Sequence, residues 1–392
     1  MPIASTTIAN TAADPVPAAL GPDENPAEKS TPEPGIGLCL SGGGYRAMLF
    51  HVGALWRLNE VGLLTQASRI SSVSGGSICS AWLALSWAKH NWKPPAIPAD
   101  QFRDIFAGGL MRLAGQTVDV WSVLRGLLPG RNVGCEVARN YNKALFKNAT
   151  LQDITDEPRF VFNASNLQSG AVWRFSKPYM ADYKVGVVPN PTVELAVAVA
   201  ASSAFPPVLS PTELQLKPED YALTGKESLH REPFNTRPLL SDGGVYDNLG
   251  LETVFKRYAT VLVSDGGAPF KPQPSPARVW PWQVMRVLGC IDNQVRSLRK
   301  RAVLDRFTMV PGSGSYWGIG TPLTQYPKNV LRCSEANTAR LAQISTRLSK
   351  MDERLREELV NWGYVACASS LESYFPQPGP APAWPYPKSA LT

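Results

Sequence analysis

Short apolar runs that end in paired glycines occur four times in this sequence, and this feature constrains the fold more than any other. The four turns are Gly42-Gly43-Gly44, Ser74-Gly75-Gly76, Asp242-Gly243-Gly244 and Asp265-Gly266-Gly267. A helical pattern follows each of the first three turns. Strands that alternate with helices in this way predict a mostly parallel sheet that is covered on both faces. We therefore expect an α/β fold, with its chemistry at the carboxyl edge of the sheet.

The apolar periodicity also predicts the individual elements. Strands are expected at 36–41, 70–73, 159–163, 171–175, 238–241 and 260–264, and the turn at 165–170 predicts a hairpin between the third and the fourth. Helices are expected after the first three glycine turns, the third of them reaching about Arg257, and also at 192–201 and 282–306. Apolar residues repeat from Leu341 to Trp362 at spacings that predict long amphipathic helices.

The chain has 392 residues, of which 44% are hydrophobic, and this is enough for one large core. We expect a disordered tail rich in Ala, Pro and Thr at 1–35, followed by a main α/β domain at 36–270. Strand signals disappear near 100–153, which predicts a helical insertion beside the core. A helical extension at 271–375 should pack on the same domain, and the Pro-rich segment 376–392 is expected to be a second tail.

Charge and cysteine usage limit the partners and the compartment. The net charge of +7 is a mild basic excess without dense clusters, so we expect no nucleic-acid partner. The six cysteines lie far apart, with no C-x-x-C pair and no histidine at ligand spacing, which favours a reducing compartment and no metal site. No basic start precedes an apolar run, and no run reaches about 20 apolar residues. We therefore expect a cytoplasmic protein that contacts the inner membrane face at most peripherally.

Ser74 is a candidate nucleophile because of its neighbours. It lies in Ser72-Val73-Ser74-Gly75-Gly76, a variant of the G-x-S-x-G pattern. Small neighbours let the backbone bend sharply between strand and helix, and they leave the hydroxyl accessible. The Gly75 N–H and the helix dipole then favour negative charge at this position. Turns of serine and glycine are common, so this segment alone is equally compatible with a structural turn.

The Gly42-Gly43-Gly44 turn is a second candidate for chemistry. Three consecutive glycines expose backbone N–H groups without side-chain cover, which suits an oxyanion hole or a phosphate cradle. The spacing excludes the common nucleotide-binding patterns, because neither G-x-x-x-x-G-K-[ST] nor G-x-G-x-x-G occurs here. Plain turn glycines are the alternative.

A carboxylate is the expected base, because the histidines stand in the wrong part of the chain. His51, His90 and His230 all precede Asp242, whereas the usual triad of this fold class places histidine after the acid. We therefore expect the three histidines to be structural. Asp242 and Asp265 each follow a strand-like run and precede two glycines, and the residues alone divide the role of base evenly between them.

Taken together, these blocks resemble the patatin-like phospholipase family, in particular its bacterial branch. The matching blocks, in order, are Gly42-Gly43-Gly44-Tyr45-Arg46-Ala47, the Ser74 turn, and Asp242-Gly243-Gly244-Val245-Tyr246-Asp247-Asn248. The resemblance extends through 162–166 and 201–206 and covers most of residues 36–270. It implies a three-layer α/β/α fold with a mostly parallel central sheet, to which this chain adds C-terminal helices.

The resemblance also implies a role for each candidate residue. It implies a catalytic dyad of Ser74 and Asp242, and it thereby prefers Asp242 to Asp265. The oxyanion hole is implied at Gly42, Gly43, Gly44 and Gly75, and support of the glycine loop at Arg46. Two small residues depart from the family pattern, and we expect activity to survive both: Ser72 and Ala47.

The function that the resemblance implies is hydrolysis of lipid acyl esters, of phospholipase A or lysophospholipase type, through an acyl-enzyme and without a cofactor or metal. A soluble esterase or acyltransferase with the same dyad is one alternative, and a non-catalytic regulatory protein is another. Two segments are candidates for contact with a lipid surface, the apolar insertion at 100–128 and the basic residues Arg296, Arg299, Lys300, Arg301 and Arg306. The alternatives are burial in the core for the first and a solvated helix face for the second.

Overall fold

The computed structural model describes residues 32–118, 133–225 and 227–392, and its core is a ten-stranded sheet. The expected α/β fold with a mostly parallel centre is confirmed. The strands are β1 (Glu33–Leu40), β2 (Ala67–Val73), β3 (Arg159–Asn166), β4 (Val172–Phe175), β5 (Tyr179–Asp182), β6 (Gly186–Pro189), β7 (Thr212–Glu213), β8 (Leu239–Asp242), β9 (Tyr258–Asp265) and β10 (Gly314–Gly318).

The strand order places the glycine turns at one edge of the sheet. Strands β10, β9, β1, β2 and β3 are neighbours in this order and run parallel. Beyond them the sheet becomes antiparallel, and β4, β5 and β6 follow β3 while β8 also pairs with β3. The predicted hairpin of β3 and β4 is confirmed. Because β1, β2 and β9 are parallel neighbours, the turns that follow them meet at their carboxyl ends.

The helices cover the sheet, and most of them begin at a glycine turn or in the C-terminal extension. They are α1 (Gly44–Glu60), α2 (Gly75–His90), α3 (Gly108–Ala114), α4 (Val133–Tyr141), α5 (Leu195–Ser202), α6 (Gly244–Asp247), α7 (Trp280–Met309), α8 (Glu335–Ala342) and α9 (Glu353–Tyr374). In the part of the chain that the structure describes, none of these helices has the length and apolar content needed to cross a bilayer.

Helices α1 and α9 cross at two glycines. A Cβ on Gly53 would lie 1.8 Å from the Val360 carbonyl oxygen, and a Cβ on Gly363 would lie 1.8 Å from that of Phe50. Only glycine allows backbones to approach so closely, and this explains two glycines within helices, where they otherwise cost stability. The C-terminal extension is therefore packed tightly on α1, the helix that begins at the first glycine turn.

Two predicted helices are wrong in extent. The helix after Asp242 ends at Asp247 instead of near Arg257, because the Asp247 carboxylate accepts hydrogen bonds from the N–H groups of Leu249 and Glu252 and turns the chain. The helical pattern at 341–362 is interrupted by a loop at 343–352. This loop packs against the first glycine turn, where the Arg347 and Ile344 carbonyls accept hydrogen bonds from Tyr45 and Arg46 instead of from a helix.

Parts of the insertion and of the C-terminal segment pack against the core where the structure describes them. Phe102, Phe106 and Leu110 are fully buried, so this part of the insertion is not a lipid-contacting surface. The apolar residues Trp121, Leu124, Leu127 and Leu128 lie outside the described residues. The segment 376–392 was expected to be a tail, but its end packs on α9, where Asn361 donates hydrogen bonds to the carbonyls of Tyr386 and Ser389.

Candidate active site

Ser74 occupies a strained turn between β2 and α2. Its backbone has φ 52° and ψ −120°, a conformation that residues other than glycine rarely adopt. The Ser74 N–H donates to the Ser202 carbonyl at 3.1 Å, which anchors the turn to α5. Ser74 directly precedes the first residue of α2. It is only 7% exposed, so solvent has narrow access to it. This geometry is that of a nucleophile elbow.

Other backbone segments pack so closely around Ser74 that its neighbours must be glycine. A Cβ on Gly75 would lie 2.2 Å from the Gly44 carbonyl oxygen, and a Cβ on Gly76 would lie 2.4 Å from the Leu40 carbonyl oxygen. A Cβ on Gly42 would lie 3.1 Å from the Ser74 Cβ. The serine turn and the first glycine turn are therefore in direct contact.

The first glycine turn offers two free backbone donors. The Gly42 N–H donates to the Asn248 carbonyl at 3.0 Å and is occupied. The N–H groups of Gly43 and Gly44 have no acceptor among the described residues. Gly43 has φ 143° and Gly44 has φ 61°, and these left-handed values turn the chain from β1 into α1. The unoccupied N–H groups lie at a helix N-terminus, where they can stabilise an anionic oxygen.

Asp242 is a buried carboxylate with incomplete hydrogen bonding. Its Oδ1 accepts the Gly244 N–H at 2.7 Å, whereas its buried Oδ2 has no well-aligned donor in the described part of the chain. Burial raises the pKa of Asp242 to about 7, and hydrogen bonding from the Gly244 N–H and the Ser74 hydroxyl limits this rise. The Ser74 side chain is thus close enough to lower the pKa of Asp242, and the carboxylate can gain or lose a proton near neutral pH.

Asp265 is held in a structural ion pair. Its Oδ2 lies 3.1 Å from Arg296 Nη2 and accepts the Tyr316 hydroxyl at 2.7 Å, while Oδ1 accepts the Gly267 N–H at 2.9 Å. Burial alone would raise the pKa of Asp265, but Arg296 and these hydrogen bonds hold it below its ordinary value. The two Asp-Gly-Gly turns therefore differ in charge environment, although their sequences are alike.

Arg46 connects the glycine turn with the C-terminal extension. Its Nε donates to the Gly266 carbonyl at 3.1 Å and its Nη1 donates to the Ile344 carbonyl. Its Nη2 is buried without an acceptor in the described residues, 2.8 Å from the position of a Cβ on Gly43. Burial and the nearby Arg296 lower the pKa of Arg46 to about 10. The guanidinium thus fixes the glycine turn against 343–352.

The three histidines make packing and hydrogen-bond contacts away from Ser74. His51 is fully buried, and its ring nitrogens contact the Ser264 hydroxyl at 2.8 Å and the Ser41 carbonyl at 2.9 Å. Burial lowers the pKa of His51 to about 4, so the ring stays neutral. His230 contacts the Val185 carbonyl, and His90 stacks on Trp92.

Two features of the site were missed by sequence reasoning. Asn248 lies against both the first glycine turn and the Asp242 turn. Its Oδ1 is 2.3 Å from the position of a Cβ on Gly42 and 2.7 Å from that of a Cβ on Gly244. The only sequence signal was its place at the end of the Asp242 block. The second feature is the Arg347 carbonyl, which accepts the Tyr45 N–H at 3.1 Å and covers the glycine turn from the C-terminal side. No local pattern indicated this contact.

A cavity of about 340 Å³ lies beside the glycine turn, between α7 and the loop at 343–352. Its lining includes Arg46, Phe270, Asp292, Arg296 and Ile344. Asp292 also contributes to the raised pKa of Asp242, although less than burial does. Neither Ser74 nor Asp242 lines this cavity. Among the described residues, no group of three or more His, Cys, Asp or Glu side chains could hold a metal ion.

The sequence matches the family model described as Patatin-like phospholipase over residues 38–255, more than half of the chain. This span contains the first glycine turn, the Ser74 turn and the Asp242 block. No curated protein matches the sequence.

Solved structures with a similar fold include human GIVD cytosolic phospholipase A2 in complex with methyl gamma-linolenyl fluorophosphonate, which is 13% identical, with a TM-score of 0.50. The match covers 86% of this chain and 57% of that chain. A second structure of human GIVD cytosolic phospholipase A2 is 12% identical, with a TM-score of 0.47 and coverage of 86% and 61%. VipD from Legionella pneumophila is 15% identical, with a TM-score of 0.38 and coverage of 87% and 67%. The chain thus spans about three fifths of the length of the human structures.

Proposed function

Because the chain belongs to the patatin-like phospholipase family, we propose that it is a lipid acyl hydrolase that cleaves carboxylic esters of phospholipids or lysophospholipids with Ser74 and Asp242. The observation that carries the proposal is the pairing of a serine in a strained elbow with a buried carboxylate whose pKa is raised to about 7. A base with a pKa near the working pH is suited to proton transfer. Asp265, held by Arg296, lacks this property.

The first half of the proposed reaction forms an acyl-enzyme. The Asp242 carboxylate accepts the proton of the Ser74 hydroxyl while Oγ attacks the ester carbonyl carbon. The carbonyl oxygen becomes an anion, which the N–H groups of Gly43 and Gly44 stabilise, together with that of Gly75 at the first position of α2. The ester C–O bond then breaks, and the proton on Asp242 passes to the leaving alcohol, a lysophospholipid or glycerophosphoryl group.

The second half restores the enzyme. Asp242 accepts a proton from a water molecule that attacks the acyl carbon, and the same N–H groups stabilise the second oxyanion. When the bond to Oγ breaks, the proton returns to Ser74 and the fatty acid leaves. The occupied Gly42 N–H contributes by fixing the turn to Asn248 instead of by binding the oxyanion. We further propose a cytoplasmic location, with substrate taken from a membrane surface.

The experiment that tests the proposal compares fatty-acid release from phosphatidylcholine vesicles by wild type and Ser74→Ala. Wild type should release fatty acid and become labelled by a fluorophosphonate probe, and the variant should do neither, because only the nucleophile is removed. Labelling that survives Ser74→Ala would refute the assignment of the nucleophile. Hydrolysis of short soluble esters without any release from vesicles would favour the soluble esterase instead.

A further inference from the structure

Helix α7 presents an apolar stripe to solvent. The stripe consists of residues spaced three or four apart, which therefore share one face of the helix: Trp280, Val284, Val287, Ile291, Val295 and Leu298. Every one of them is exposed, from 73% for Trp280 to 37% for Val295. An ordinary amphipathic helix of a globular protein buries this face. Between Trp280 and Leu298 this face of α7 is exposed instead.

The opposite face of α7 points inward, with polar residues along the stripe and the apolar Val303 buried further along the helix. Arg296 reaches the Asp265 carboxylate and the carbonyls of Ala268 and Gly267. Asn293 and Arg286 line the cavity beside the glycine turn. These contacts fix the rotation of the helix about its axis, because Arg296 cannot leave Asp265 without leaving a buried charge unpaired. The outward direction of the apolar stripe is thus determined by the ion pair beneath it.

The charges around the stripe indicate what it binds. Helix α7 contains six basic and two acidic residues. Arg296 and Arg299 have acidic partners within the protein, whereas Arg301 is exposed beside the stripe. A second copy of the chain would bring two basic helices together, which charge repulsion opposes. An anionic lipid surface instead attracts basic residues and accepts apolar side chains.

The N-terminal end of α7 supports the same partner. Trp280, at the start of the stripe, is 73% exposed, and Val279 before it is 61% exposed. Tryptophan is enriched at the level of lipid head groups, because its ring is apolar and its N–H is polar. Large exposed apolar patches in folded proteins mark interaction sites.

We propose that the apolar stripe of α7 is a membrane-docking surface, which lies in the interface of an anionic bilayer and holds the cavity side of the helix toward the candidate active site. This inference rests on the proposed function for the reason to approach a membrane, and it adds the partner and the surface. A helix is about 10 Å across, so docking would place the cavity within one helix diameter of the lipid.

The test is vesicle sedimentation in a Ser74→Ala background, which prevents lipid hydrolysis. The stripe variant combines Val287→Glu and Ile291→Glu. The matched control combines Gln283→Glu and Gln294→Glu, which add the same two charges to the same helix at exposed positions beside the stripe. Circular dichroism and melting temperature establish that each variant is folded.

The unmodified stripe and the control should sediment with vesicles of phosphatidylcholine mixed with phosphatidylglycerol and more weakly with phosphatidylcholine alone. The stripe variant should bind vesicles about tenfold or more weakly, because charged groups replace two apolar side chains that docking would bury in the lipid. Equal binding by stripe variant and control would overturn the proposal. So would a dimer, measured by light scattering, that the stripe variant alone converts to monomer. Sedimentation needs no turnover, so it remains readable even if Ser74 proves unreactive.

Discussion

Arg296 Nη2 lies 3.1 Å from Asp265 Oδ2, and this ion pair makes one of two similar Asp-Gly-Gly turns a structural site. The arginine comes from α7 and reaches across the end of the sheet. The next residue, Gly266, links this turn to the first glycine turn, since it accepts a hydrogen bond from Arg46 and donates one to the Ser41 hydroxyl. Among the described residues Asp242 has no such cation as a hydrogen-bond partner, and its proton affinity is correspondingly high.

Asp242→Asn and Asp265→Asn are a matched pair of substitutions that should have opposite profiles. Asp242→Asn should reduce kcat by about a hundredfold or more, because an amide of the same shape cannot accept the serine proton. Asp265→Asn should leave most of kcat but lower the free energy of unfolding by about 3 kcal/mol, because it leaves Arg296 without its partner. Kinetics on a soluble ester and denaturant unfolding measure both. The reverse ranking of kcat in two folded variants would assign the base to Asp265.

The activity should rise with pH through the neutral range. The pKa of Asp242 is raised to about 7, and only the ionised carboxylate can accept the serine proton. The value of kcat/KM for a soluble ester should therefore be low in mild acid and reach half its plateau near pH 7. A profile that stays flat between mild acid and mild alkali would contradict this role.

The same raised pKa predicts that Asp242 costs stability when it is ionised. The folded-state pKa lies above the unfolded value of about 4, so the native state holds the proton more tightly and stability falls as pH rises between about 4 and about 7. Asp242→Asn should therefore melt at a higher temperature than wild type at alkaline pH, and the difference should shrink in acid. Melting curves at several pH values measure this. A variant less stable than wild type at alkaline pH would show that the carboxylate is well solvated.

Gly44→Ala should reduce activity more than its backbone strain alone explains. Gly44 has φ 61°, and a Cβ there would lie 2.7 Å from the Arg347 carbonyl oxygen. Gly170→Ala is the matched control, because Gly170 has φ 70° but no atom within 4 Å of its Cβ position. Both changes should cost about 1 kcal/mol of stability from backbone strain, whereas only Gly44→Ala should displace the oxyanion donors and lower kcat. Equal activity of the two variants would remove the Gly44 N–H from the mechanism.

Hydrolysis should persist in excess chelator. In the proposed mechanism Asp242 accepts the proton directly and backbone N–H groups stabilise the oxyanion, so no step uses a metal. Activity on a soluble ester, which avoids effects of calcium on the lipid surface, is the appropriate measurement. Loss of this activity in chelator and its recovery with added calcium would contradict the mechanism.

The α/β fold could be predicted from the sequence alone, and so could the turns that form the candidate site. Glycine turns and apolar strands are local features, because backbone geometry at Gly43 or Gly75 and the burial of a short strand depend on the residues themselves. The parallel order of β1, β2 and β9 then brings the turns to one edge. The sequence thus predicted that the turns share an edge of the sheet, and the observed strand order shows that the Ser74 turn and the first glycine turn are neighbours there.

Only the tertiary structure distinguished the environments of the two aspartates and showed where the C-terminal extension lies. Asp242 and Asp265 have the same local sequence, and what separates them is Arg296, which comes from a distant helix. The loop at 343–352 interrupts a helical pattern because contacts with Tyr45 and Arg46 replace its helical hydrogen bonds. Likewise the apolar stripe of α7 would be expected to face the core, and it faces outward because the buried ion pair fixes the opposite side. Such outcomes depend on long-range contacts, which compete with local preference and here prevail over it.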